Sequence, residues 1–192
     1  MLSVTLCFAV FAVSKQQNYR SFAMFLLLPI LVLYWLGHYN VIEFSRPAAY
    51  FLLALFFILL IISFATQLAR AEGITLNEIY ATLCLYLIIG LFWGTLYALL
   101  NEKSPGSYAG ALLESGEDSL LNTFNYFSLV TLTTLGYGDI TPQTPGAGAL
   151  CQMEAIIGQF YTAVVVAWLV ANFVADRKKS RKQYLLQLQT LR

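Results

Sequence analysis

The residues best placed to do chemistry are seven in a row: Thr133, Thr134, Leu135, Gly136, Tyr137, Gly138 and Asp139. Holding a dehydrated cation takes a cage of oxygens whose dipoles all point at the ion. Backbone carbonyls can form that cage only if successive residues aim them to one side. Ordinary strand geometry does not do this, because alternate residues face opposite ways. Gly136 and Gly138 can adopt the positive φ that corrects the alternation. Thr134, Leu135, Gly136 and Tyr137 then each offer a carbonyl, and the Thr134 hydroxyl adds an innermost oxygen. One chain supplies one side of such a cage, so four are needed to close each ring.

Such a turn must be held by elements that keep lipid away from it, and the composition fits that need. The chain has 192 residues, of which 59% are hydrophobic and 11% charged. The apolar residues lie in long runs, and about 20 residues carry a helix across the hydrocarbon core. Ala48–Ala69 (22 residues), Ile79–Leu100 (22) and Ala155–Ala175 (21) qualify. Ser21–Gly37 (17 residues) qualifies if Tyr34 and Trp35 anchor it at an interface. Leu2–Val13 is too short to span alone, lacks a basic flank and a small-residue cleavage site, and is read as a retained hydrophobic helix. Between the last two long runs, Asn122–Thr133 is 12 residues, about 18 Å as a helix, enough to enter a membrane and not to cross it. It must turn back, and extended backbone at that depth survives only when buried in protein or lining a watery path. The expected fold is an all-α membrane protein. Two or three N-terminal transmembrane segments (1–75) precede a pore domain (76–176) of outer helix, re-entrant pore helix, filter and inner helix, and a short basic tail (177–192) follows.

Charge placement sets the orientation. With the loop 101–122 outside, nine of the eleven basic residues fall inside, leaving Arg46 and Lys103 outside, as the positive-inside rule requires. The tail is then cytoplasmic. No apolar segment carries basic residues at every third position, so none reads as a voltage sensor.

The stretch YFSLVTLTTLGYGDITP closely resembles the pore loop of tetrameric potassium channels, whose signature is Thr-Val-Gly-Tyr-Gly followed by Asp. The resemblance covers roughly Leu76–Ala175. It implies passive, potassium-selective conduction by a homotetramer in a cell membrane, and the size and simplicity of the chain suggest a bacterial inner membrane. Thr134, Gly136, Tyr137 and Gly138 match the signature, with Asp139 the acid that follows. The resemblance assigns K+ to Thr134, Leu135, Gly136 and Tyr137, with Gly138 and Asp139 in support. Leu135 stands where valine or isoleucine is usual and has more χ1 freedom than either, so a less selective cation channel is the nearest rival. Val130 occupies a pore-helix position where some relatives place a glutamate that bonds the acid after the filter; Asp139 must instead be held by Tyr126 or by water. Tyr126, Phe127 and Tyr137 are expected to brace the filter, and the C-terminal carbonyls of the pore helix to face its centre.

Gly158 lies where similar channels have a gating hinge; close helix packing is the competing account. Thr162, Val166 and Val170 recur at helical spacing and are candidates to line the inner cavity. Glu114, Glu117 and Asp118 form an acidic outer loop with Asp139, which would concentrate cations weakly. Glu154 is read as an interfacial residue near the outer end of the last helix. Cys7, Cys84 and Cys151 are odd in number and read as buried thiols, and His38 as a loop residue. The basic run after Asp176 anchors topology and offers a contact to anionic membrane lipids. At this length the tail holds no folded ligand-sensing domain. No hydrolase, phosphate-binding, nucleic-acid-binding or metal-ligand motif is present, so the chain does not read as an enzyme.

Overall fold

The computed structural model describes residues 45–70, 76–114 and 119–190, with side-chain detail for the last helix over 145–168. The segments Leu2–Val13 and Ser21–Gly37, and also His38, Glu117 and Asp118, lie outside the described residues.

Helix α1, Ser45–Ala69, accommodates Pro47 in its first turn, where a missing N–H breaks no helical bond. Its inner face (Leu53, Phe56, Phe57, Leu60, Phe64) is buried. Its opposite face is apolar too: Phe51, Leu55, Ile58 and Ile62 stand exposed at helical spacing. A helix apolar on all sides belongs in lipid. α2, Leu76–Lys103, packs along α1, and both are long and apolar enough to cross a membrane.

The pore-helix position is filled by α4, Leu120–Leu132, after a single turn, α3, at Ala111–Glu114. α4 starts two residues before the expected Asn122 because Ser119 caps it, its hydroxyl accepting from the Asn122 amide. α4 lies against a small-residue stripe of α2. A Cβ on Gly90 would meet the Leu129 side chain at 2.7 Å, and one on Gly94 would meet the Asn125 backbone Cα at 2.8 Å. Glycines one turn apart thus let two backbones approach as they commonly do in membranes.

The last helix, α5, runs Pro145–Thr190 and begins ten residues earlier than the apolar run alone suggested. Pro145 suits a first helical position, and Thr144 accepts from the Ala147 amide at 3.3 Å as the cap. Among the described residues the apolar span covers Pro145–Trp168, and the helix continues through Asp176 without a break. A two-residue antiparallel ladder joins β1 (Tyr108–Ala109) to β2 (Thr141–Pro142). It clips the loop after α2 to the chain just beyond the filter segment, helped by Gln143 donating to the Ser107 carbonyl at 2.8 Å.

These contacts rank the two glycines. Gly94→Ala must displace backbone and should destabilise the folded channel by about 1–3 kcal/mol, whereas Gly90→Ala asks only a leucine rotamer to move and should cost less. Thermal melts of the purified protein in detergent test the order; equal losses would mean the α2–α4 contact is looser than drawn.

Candidate functional site

The filter segment grows directly from the end of α4. A helix leaves its last four carbonyls without helical partners, and here each finds one. The Leu129 carbonyl accepts from the Thr133 amide (3.1 Å) and hydroxyl (2.7 Å). Val130 accepts from the Leu135 and Gly136 amides at 3.0 and 3.3 Å, and Thr131 from the Thr134 amide at 2.9 Å. Leu132 accepts from the Tyr86 hydroxyl of α2 at 3.1 Å. The C-terminal carbonyls of α4 expected to face the centre are thus each hydrogen-bonded, and the field of the helix end is what α4 contributes.

The five residues that follow alternate in φ. Thr134 (+60°), Gly136 (+57°) and Gly138 (+77°) are positive, and Leu135 and Tyr137 are not. Alternation between right- and left-handed conformations lines up peptide groups that a strand would alternate, the arrangement that carbonyls gathered on one side require. A β-branched residue such as Thr134 rarely takes positive φ and does so at a cost, offset here by the α4 hydrogen bonds on either side of it. Residues 133–138 are all exposed in the single chain.

Asp139 is held as one of the two expected alternatives proposed. Tyr126 of α4 donates to its Oδ2 at 2.6 Å, and the Ile140 amide to its Oδ1 at 3.1 Å. That bond pushes the Tyr126 phenol from its ordinary 10 up to about 12. Gly110 lies against the Asp139 carbonyl, where a Cβ would collide. Phe127, by contrast, acts at one remove. It points backward into a buried aromatic cluster with Tyr97, Tyr108 and Phe124.

The sequence reading missed the centre of this rear face. Glu154 is fully buried, a correction to its placement at an interface that follows from the earlier start of α5. Tyr97 of α2 donates to one of its carboxyl oxygens, and the Ser128 hydroxyl of α4 meets the other. Ser128 also donates to the Gly90 carbonyl of α2 at 2.6 Å. One carboxyl therefore ties α2, α4 and α5 together. The available signal was an acid inside an apolar span, which is costly unless partnered.

The ion channel family model matches residues 81–175, which bracket all of these contacts. Two pore potassium channel c of Oryza sativa subsp. japonica is 34% identical over 91 residues, 47% of this chain and 18% of that protein. Protein LctB of Geobacillus stearothermophilus is 41% identical over 75 residues, 39% of this chain and 50% of that protein. Inward rectifier potassium channel Kirbac3.1 of Paramagnetospirillum magnetotacticum is 30% identical over 80 residues, 41% of this chain and 27% of that protein. Residues 81–175 belong to the pore-loop potassium channel family. The chain spans from about a fifth to half of the length of these three relatives. No solved structure matches it.

Within that match α5 is the inner helix, and Gly158 is where that helix touches the filter base. A Cβ there would run into the Leu132 carbonyl oxygen, so close packing requires a glycine here, a requirement separate from any bend in the helix. Thr162 donates to the Gly158 carbonyl at 3.0 Å, a back-bond that often accompanies helix bending. Tyr161 faces α2, stacking near Tyr86 and donating to the Thr82 carbonyl at 2.6 Å. Thr162 and Val166 are exposed on the other side; the Val170 side chain lies outside the described residues. Cys84 is exposed and Cys151 partly buried, so the expectation of buried thiols fails for Cys84.

Substitutions at two positions test the supports of the filter. Ser128 has one hydrogen, which the Gly90 carbonyl takes, so an amide at position 154 supplies the missing donor while still accepting from Tyr97. Glu154→Gln should hold stability within about 1 kcal/mol of wild type, whereas Glu154→Leu takes the acceptor from the buried Tyr97 hydroxyl at about 1–3 kcal/mol; thermal midpoints decide between them. Tyr126→Phe should make potassium current decline faster under sustained conduction. Because the folded pKa of Tyr126 is raised, its bond contributes fully below pH 10 and is lost as pH climbs toward 12, so wild type and Tyr126→Phe should converge in that window. A constant gap across it would remove Asp139 as the partner that matters.

Proposed function

We propose that four copies of this chain surround one axis and conduct potassium passively and selectively, the carbonyls of Thr134, Leu135, Gly136 and Tyr137 and the Thr134 hydroxyl replacing the ion's water, with Gly138 and Asp139 holding their shape. The observation that carries the reading is the alternating sign of φ from Thr134 to Gly138, the arrangement that carbonyls gathered on one side for a dehydrated cation require. Supporting it, the spanning part of α5 is only 11% buried within the chain, against 50% for α1. Met153, Ile156, Ile157, Phe160 and Val164 on α5 and Tyr137 in the filter are exposed, and neighbouring copies around an axis would cover them.

In this reading residues 1–75 are membrane segments outside the pore, 76–176 the pore domain, and 177–192 a cytoplasmic tail whose basic residues contact anionic lipid. The tail rides on the continuation of α5, so lipid contact there would act on the inner helix directly, with Gly158 as the point where it bends. Opening does not depend on an arginine-rich helix. The membrane is the cell membrane of a bacterium.

Purified protein in planar bilayers, with potassium on one side and sodium on the other, tests the proposal. Current should reverse near the potassium equilibrium potential, and Gly136→Ala, which places a Cβ on a residue at positive φ, should abolish selectivity or current. A wild-type reversal near zero, or no current at any voltage, would overturn it.

A further inference from the structure

Gln159 follows Gly158 and sits among exposed Ile156, Ile157 and Phe160, and its Nε2 donates to the Thr134 hydroxyl at 3.3 Å. Thr134 is also the residue whose positive φ begins the alternating segment. The inner helix thus reaches the base of the filter twice in succession: by backbone packing of Gly158 on the Leu132 carbonyl, and by a hydrogen bond from Gln159 to the next turn of chain.

We propose that Gln159 is a positioning residue for the innermost oxygen ring and sets how tightly that ring holds a cation. This rests on the reading above that Thr134 supplies that ring. A hydroxyl has one hydrogen and two lone pairs. With one lone pair occupied by the Gln159 amide, the other is left for the ion, and the hydrogen must turn away from both. The oxygen is then fixed in direction, and it is a weaker ligand than a free hydroxyl because the amide hydrogen draws on its electron density. Four copies multiply the effect at a single site. The consequence is a ring that releases its ion readily toward the inner cavity. A 3.3 Å contact lies near the limit of a hydrogen bond, so a displacement of α5 at Gly158 of about 1 Å would break it. Movement of the inner helix thereby alters the ring it feeds.

Barium is the probe, a dication close to potassium in size that meets the innermost ring first when applied from the inner side. Gln159→Leu removes the donor and should tighten barium block about three- to tenfold, the range of one neutral hydrogen bond. In a Thr134→Val background, which lacks the hydroxyl, the same substitution should change block less than twofold, since the two residues would act as one unit. Gln159→Met repeats the test with a more flexible apolar chain should Gln159→Leu fail to assemble. Barium's protection of the purified protein against heat is read in parallel, so a variant without current still reports. Block that is unchanged or loosened by Gln159→Leu, or altered equally in both backgrounds, would overturn the role. The wild-type reversal potential separates the two failures. A potassium-selective wild type with indifferent Gln159 variants removes this role alone, and an unselective wild type removes the filter reading and this role together.

Discussion

Extended backbone at membrane depth has no water to satisfy its amides and carbonyls, and every feature of residues 119–142 answers that constraint. The amides of Thr133 to Gly136 turn back onto the carbonyls of Leu129, Val130 and Thr131, so helix end and filter segment satisfy each other. The Leu132 carbonyl, left over, goes to Tyr86 of the outer helix. With its amides engaged on one side, the segment is free to turn its remaining carbonyls to the other. The positive φ of Thr134, Gly136 and Gly138 follows from this division of labour, and it explains why a threonine tolerates a conformation that is usually left to glycine.

Holding such a segment at fixed width requires supports on two sides. In front, Tyr126 bonds Asp139 while the β1–β2 ladder pins the chain that leaves the filter. Behind, Glu154, Tyr97, Ser128 and the Gly90 carbonyl connect inner, outer and pore helices in one buried network. Hydrogen bonds in low dielectric are strong when complete and expensive when broken. A network placed there makes the three helices move together or not at all. The aromatic cluster of Tyr97, Tyr108, Phe124 and Phe127 fills the space around it, so the rear support is dispersive as well as polar.

The close approaches have the same purpose. Gly90 and Gly94 bring α4 onto α2, Gly110 admits the Asp139 carbonyl, and Gly158 admits the Leu132 carbonyl. Lipid offers no hydrophobic drive to press helices together, so backbone contact and hydrogen bonds must do it. Each of these glycines stands where a neighbouring backbone or side chain needs the volume of a Cβ.

What the sequence determined by itself was local. Run lengths identified the three spans of the described residues, though not where the last begins, a run too short to cross identified the re-entrant helix, and the order Thr-Leu-Gly-Tyr-Gly-Asp marked where carbonyls could gather, because span length and φ preference are properties of a few adjacent residues. The Tyr126–Asp139 bond was legible as one of two alternatives because both ends lie in one short stretch. What only the tertiary structure decided was which distant residues meet. Glu154 looked interfacial until the cap at Thr144 and Pro145 moved the start of α5 outward and carried it into the bundle. Phe127 looked like a direct filter brace until α4 took its rotation from the α2 glycines. The partners of Glu154 lie 57 and 26 residues away in sequence, and Gln159 and Thr134 are 25 apart. Such pairings depend on how whole helices dock and turn, which the periodicity of any one helix does not fix.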